Sequence, residues 1–241
     1  GIRRTLKGFK ASPMAYPVFS KVGSVSAAEA VDAVGCLPSN NWQSATEVGW
    51  SEKIGTAALE ASAQTKNPCY QCPVACTQVR LAKTGKYAGV STEGPEFETV
   101  YSLGSNVGVT DPTAVIAADR LCDELGLDTI SAGVSVSMAM ELVQRGILND
   151  EEDLGLKFGN DEAVLHMLRD MAYRQGQFGS LFADGTRRAA ERIGAEAEYY
   201  SMDVKGMELP AYDVRGFKAH GLNYATCYTG ADHNKGYSIQ E

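Results

Sequence analysis

The chain has 241 residues, 44% hydrophobic and 22% charged, with a formal net charge of −8 at pH 7. That composition is an ordinary globular one with a sizeable core, enough for one large or two modest domains. It argues against nucleic acid as the main partner, since no basic run of useful length accompanies the acidic balance. No apolar stretch is long enough to span a membrane.

Six cysteines in a chain of this length do not make a secreted disulfide scaffold. Their clustering points to a metal centre in a reducing, cytoplasmic setting. The chain opens Gly1-Ile2-Arg3-Arg4 without Met and stops at Gln240-Glu241 just after a motif-like segment, so a piece of a longer protein is expected.

The reading in chain order is mostly helical. Ser24 to Gly35 predicts a short helix capped by Ser24 or Ser26 and ended at Gly35. A turn-rich connector, Cys36 to Trp42, follows. Thr46 to about Ala63 is Ala-rich and predicts helix weakened by Gly49 and Gly55. Gly85 to Thr92 reads as a loop or short hairpin. Glu93-Gly94-Pro95-Glu96-Phe97-Glu98 then opens a helix with Pro95 at its first position. Asp111-Pro112 opens the clearest helix, with Val115, Ala118, Leu121, Cys122 and Leu125 on one face and Gly126 at its end. Asp128 caps the next, which runs to about Arg145. Further helices are predicted over 161–174 and 180–193. From Tyr200 the text becomes Gly- and Pro-punctuated, which places a domain boundary near Met202. The expected fold is all-α and multihelical with little β, divided into residues 1–202 and an incomplete start of a second helical domain, 203–241.

The strongest chemical signal is Asn67 to Arg80, NPCYQCPVACTQVR. Cys69, Cys72 and Cys76 are spaced C-x2-C-x3-C, so their sulfurs can converge on one point. Pro68 and Pro73 argue against helix interior before Cys72. From Ala61 to Thr92 there is no Asp or Glu, while Lys66, Arg80, Lys83 and Lys86 are present. A basic, acid-free window in an acidic chain suits an anionic thiolate-ligated centre. The alternative is a solvated basic loop with small buried thiols. Spacing does not separate zinc from iron–sulfur. Cys122, Cys227 or a cysteine beyond Glu241 are the candidates for a fourth ligand.

Three further motifs carry polar chemistry. Asp123-Glu124-Leu125-Gly126-Leu127-Asp128 is a helix end followed at once by a helix start. On its own it is a helix–turn–helix corner with an acidic cap, yet it can also present Asp123 and Asp128 to the N–H donors of a bound heterocycle. Glu93, Glu96 and Glu98 are the acids that a helix dipole favours in a first turn, or carboxylates for proton transfer. His233, in Ala231-Asp232-His233-Asn234-Lys235, is one of three histidines with His166 and His220. A lone histidine is more often structural, but its polar company suits donation to a substrate oxygen.

Taken in order, the strings KVGSVSAAEAVDAVGCLPSNNWQ, CYQCPVAC, EGPEFETV, DELGLD, KGMELPAYDVRGFKAHGLNYAT and GADHNKGY resemble the tungsten-containing aldehyde:ferredoxin oxidoreductase family. The resemblance spans nearly the whole chain. It implies the helical middle domain of that family plus the opening of its third domain, with a sheet-rich pterin-binding domain upstream. It implies Cys69, Cys72 and Cys76 as three ligands of a [4Fe-4S] cluster, the fourth lying past Glu241. Cys122 is expected to be helix core. Asp123, Gly126, Leu127 and Asp128 are implied as contacts of a tungsten (or molybdenum) bis-pterin, Glu98 as the acid near the metal and His233 as the histidine near the substrate. Phe97 stands where the family commonly has tyrosine, and Asp232 where some members have cysteine, which bears on substrate preference. The expected activity is oxidation of a small aldehyde to a carboxylic acid, with ferredoxin as electron acceptor and a homodimer as an option. The alternatives are a tungsten reductase of an acid or aromatic thioester, and a non-catalytic metal-binding helical module. The isolated chain is expected to be inactive and to hold little tungsten.

Overall fold

The computed structural model describes residues 2–12, 15–47 and 49–236; Tyr237, which closes the last motif, lies outside them. The chain begins with helices α1 (Ile2–Ala11) and α2 (Ala15–Val22), then a single 3-10 turn at Ser24–Ser26 that runs into α3 (Ala27–Ala33). After a connector come α4 (Trp50–Ile54) and α5 (Thr56–Glu60), strands β1 (Ala63–Lys66), β2 (Gln78–Leu81) and β3 (Ser91–Thr92), and α6 (Phe97–Ser102). The long helices α7 (Pro112–Leu125), α8 (Thr129–Gln144) and α9 (Asp161–Tyr173) follow, then α10 (Gly176–Phe182), α11 (Thr186–Ile193) and α12 (Ala195–Glu198). Strands β4 (Asp203–Val204) and β5 (Met207–Glu208) and helix α13 (Lys218–Thr226) complete the order.

The fold is therefore mainly helical with little β, and the β takes the form of two small antiparallel sheets. The first, β1-β2-β3, frames the cysteine segment; the second is the β4-β5 ribbon. Their strands are short and sparsely apolar, so period-two alternation carries no signal.

The core is built around α8. All its residues from Ala132 to Leu142 are buried, as expected of a helix whose sequence, Ala-Gly-Val-Ser-Val-Ser-Met-Ala-Met, shows no polar stripe. A polar string runs beside it: Asn106 donates to Ser137 (2.8 Å), Ser137 to Asn41 (3.0 Å) and Asn41 to the buried Glu141 (2.7 Å). These bonds offset most of the desolvation cost of the string, although the Asn106 Oδ1 is buried without a partner. Gly133 lets α6 cross α8 closely: a β-carbon there would stand 2.5 Å from the Ser102 carbonyl oxygen.

The predicted caps of the long helices hold. Asp111 accepts the Thr113 N–H (2.8 Å) and Asp128 the Ser131 N–H (2.7 Å). Gly126 ends α7 at φ 69°. Three boundaries differ from expectation, each because a distant side chain intervenes. The predicted 46–63 helix splits at Gly55, where Glu29 accepts the Thr56 N–H (2.7 Å) and opens α5. The predicted 180–193 helix splits at Gly185, where Glu208 accepts the Thr186 N–H (2.9 Å) and opens α11. Pro95 is not the first helical residue: α6 starts at Phe97, whose N–H is accepted by the Ser24 hydroxyl (3.0 Å). Ser24 is thus a cap of α6 rather than of its own helix, and Ser26 makes no side-chain cap either.

Residues 203–236 pack onto the helices. Leu209 offers its carbonyl to Tyr101 (3.2 Å), Asp213 donates its N–H to the Cys36 carbonyl (3.1 Å), and Arg187 pairs with Asp203 (2.9 Å). This packing brings Tyr212 and His233 against α6.

Candidate functional site

The cysteine loop, residues 67–77, is the connection between β1 and β2. Its base is closed by the Asn67 N–H on the Thr77 carbonyl (3.1 Å), and inside it the Cys72 N–H donates to the Cys69 carbonyl (2.9 Å). Gln71 (φ 56°) and Ala75 (φ 51°) take left-handed conformations that wind the loop tightly. All three thiols are free; Cys69 is exposed, Cys72 and Cys76 half-buried, and Tyr70 at the tip is 92% exposed. Partial burial, reinforced by the Glu96 carboxylate, raises the Cys76 thiol. The three thiols share one loop. Among the described residues, however, no three Cys, His, Asp or Glu side chains are already gathered as a metal would need.

Glu98 sits in the first turn of α6 and its side chain is 16% exposed. Its Oε2 accepts the Ala211 N–H (2.8 Å), while its Oε1 is buried with no hydrogen bond and lies 3.5 Å from His233 Nε2. Burial, opposed by the Ala211 N–H and reinforced by Asp128, pushes the Glu98 carboxyl up to about 8. Burial lowers His233. Near neutrality the pair is thus a largely protonated Glu98 beside a neutral His233 rather than a carboxylate facing an imidazolium. The two side chains border a cleft of about 280 Å³ with Ser24, Glu96, Phe97 and Tyr212. A wider surface hollow of about 630 Å³, beside Gln144 and Tyr200, is lined by none of the predicted site residues.

The corner between α7 and α8 places Asp123, Gly126 and Asp128 at the surface and Leu127 half-buried. Asp128 caps α8 and is near enough to raise Glu98 electrostatically. Asp123 is itself raised, by partial burial and then by Glu93. A hydrogen bond between the Thr99 and Thr129 hydroxyls (3.0 Å) fastens α6 to the start of α8. Cys122 is fully buried, and burial lifts its thiol to about 12, as a core residue rather than a ligand.

The structure thus brings Glu98 and His233 together and sets the corner beside them. Glu96 connects them to the cysteine loop: its carboxylate bonds the Ser24 hydroxyl at the cleft and acts electrostatically on Cys76. Ser24 and Tyr212 were not singled out as site residues from the sequence. Tyr212 packs edge-on against Phe97 (5.5 Å) and stacks on the buried His220 (4.6 Å). The signal for Tyr212 was the aromatic in Leu209-Pro210-Ala211-Tyr212-Asp213; Ser24 had none beyond its propensity to cap.

The profile described as aldehyde ferredoxin oxidoreductase, domains 2 & 3, matches residues 2–241. The tungsten-containing aldehyde ferredoxin oxidoreductase of Pyrococcus furiosus is 39% identical over 243 residues, covering 99% of this chain and 39% of that protein. That of Thermococcus kodakarensis is 38% identical over 242 residues, again 99% and 39%. The aliphatic sulfonate oxidoreductase, WOR-like subunit, of Pyrococcus furiosus is 34% identical over 81% of the chain and 32% of its own length. Among solved structures, the active site complex BamBC of benzoyl coenzyme A reductase, in complex with 1,5 dienoyl-CoA, shares the fold with a TM-score of 0.68. It is 22% identical, over 88% of this chain and 33% of that one. The chain spans 39% of the length of the aldehyde-oxidoreductase relatives it matches. With its fold, its motif order and these matches in agreement, the chain belongs to the aldehyde ferredoxin oxidoreductase family.

Proposed function

We propose that this chain forms part of a tungsten (or molybdenum) pterin oxidoreductase that oxidises small aldehydes to carboxylic acids and passes electrons through a [4Fe-4S] cluster to ferredoxin. The observation that carries the reading is the buried Glu98 Oε1, open to an acceptor role and 3.5 Å from His233 Nε2 at a cleft bordered by family motifs. The donor set fits the groups concerned. Three free thiols in one loop suit an iron–sulfur cluster, and an open carboxylate oxygen beside a histidine suits an oxygen-bearing reactant.

When bound, the pterin metal supplies the two-electron oxidation and the cluster the one-electron exit. This chain's residues place the reactants and handle protons. Cys69, Cys72 and Cys76 would hold the cluster, and Asp123, Gly126, Leu127 and Asp128 would contact one pterin. Glu98 takes the proton from water or the aldehyde hydrate, its raised affinity placing it near the working range of a base. His233, kept neutral by burial, donates to the carbonyl oxygen. Phe97 supplies an apolar wall to the same cleft.

The test is substitution in the full-length protein. Glu98→Gln and His233→Asn should each cut aldehyde oxidation by roughly a hundredfold or more while tungsten and iron contents hold. Unchanged turnover would remove those roles. Zinc in place of iron in purified material would overturn the cluster assignment, and preference for an acid or thioester substrate would favour a reductase.

A further inference from the structure

We propose that Arg80 is a positioning residue that ties the cysteine loop to the backbone entering the Glu98 helix, so that loop and cleft move as one body. Arg80 lies in the centre strand β2, paired with Ala63 on one side and Thr92 on the other. It is 4% exposed, and both of its Nη groups find acceptors while its Nε is buried without a partner. Its Nη1 donates to the carbonyls of Gly94 (2.9 Å) and Pro95 (3.3 Å), and its Nη2 to that of Val22 (3.4 Å). The first two carbonyls belong to the residues just before α6. The third precedes Gly23 and Ser24, whose hydroxyl receives the first N–H of α6.

Gly23 completes the link. At φ 89° a β-carbon there would stand 2.8 Å from the Cys76 carbonyl oxygen and 4.0 Å from Arg80 Nη2. The last thiol-bearing residue of the loop therefore rests against the glycine whose neighbour Arg80 holds. The charge is not idle. Glu96, Asp119 and Glu60 act on it electrostatically, against the burial that lowers Arg80. A single guanidinium thus reaches three carbonyls on two chain segments, which the point donor of a lysine cannot do in the same directions. Its fixed positive charge near Cys76 also favours the more negative, reduced state of a centre bound there. That second consequence rests on the cluster reading; the mechanical tie does not.

The experiment uses the full-length protein with Arg80→Gln and Arg80→Lys, read by hydrogen exchange and by the reduction potential of the iron–sulfur EPR signal. Both variants should speed exchange at least tenfold in residues 67–77 and 93–98 together, with α8 unchanged. Arg80→Gln should move the potential downward, and Arg80→Lys, which keeps the charge, should move it less. Faster exchange in only one of the two segments, or in neither, overturns the tie, and Arg80→Lys decides this if Arg80→Gln does not fold. An unmoved potential in Arg80→Gln overturns the electrostatic part. A wild-type protein with no iron–sulfur signal would sink the cluster reading instead, while the exchange result still decides the tie.

Discussion

At the residue scale, Glu98 is where stability and chemistry conflict. Its carboxyl titrates at about 8 when folded, against an ordinary 4.5. The native state therefore retains a proton that the unfolded chain has already lost between those values. Its favourable contribution is complete below about 4.5 and is lost as pH rises through about 8. Glu98→Gln removes this dependence and keeps an oxygen for the Ala211 N–H. The variant should gain roughly 4 kcal/mol over the wild type at pH 8 and almost nothing at pH 4, read as the difference of denaturation midpoints across pH. If Glu98 is the base, turnover of the full-length wild type should rise as pH passes through about 8, because only the ionised form accepts a proton. A flat rate profile there would count against that role.

At the scale of elements, helix ends explain why the site is ordered. Asp128→Ala removes a local cap and should cost about 1 kcal/mol in a denaturant titration. In the full-length protein it should also lower pterin content if the corner contacts the cofactor. Ser24→Ala should cost a similar amount, about 1 kcal/mol, but with a different signature. It frees the first N–H of α6 and the Glu96 carboxylate at once, so exchange should rise at residues 96–98 rather than around 24. Gly133→Ala addresses the α6–α8 crossing. Its methyl would meet the Ser102 backbone at 2.5 Å, so α6 must shift and carry Glu98 with it. The expected loss is about 1–3 kcal/mol, with a fall in turnover although Gly133 lies outside the cleft. Unchanged stability and rate would show that the crossing is looser than its geometry implies.

At the scale of the molecule, residues 203–236 hold the site together from the far end of the chain. They supply the N–H that fixes Glu98, the carboxylate that opens α11, and Tyr212 and His233 at the cleft. Ending the chain after Met202 should therefore cost upwards of about 4 kcal/mol, since it leaves a buried carboxyl and a helix start without partners. A chain of 1–202 with an unchanged melting transition would show instead that the helices fold without this segment. Among the described residues no helix is long and apolar enough to cross a membrane, in keeping with the composition.

What the sequence by itself determined is local and periodic. The α7 and α8 spans, their Asp111 and Asp128 caps, the left-handed Gly126 and the single loop carrying Cys69, Cys72 and Cys76 all follow from residues within a few positions of one another. What only the tertiary structure decided is each contact between residues far apart in the chain. Glu29 starts α5, Ser24 starts α6 and Glu208 starts α11. Arg80 reaches across to Val22 and Gly94, and His233 comes to Glu98. The physical reason is that an orphan N–H at a helix start accepts any well-placed oxygen. Propensity names the caps a segment carries itself, whereas packing chooses the oxygen when it comes from elsewhere.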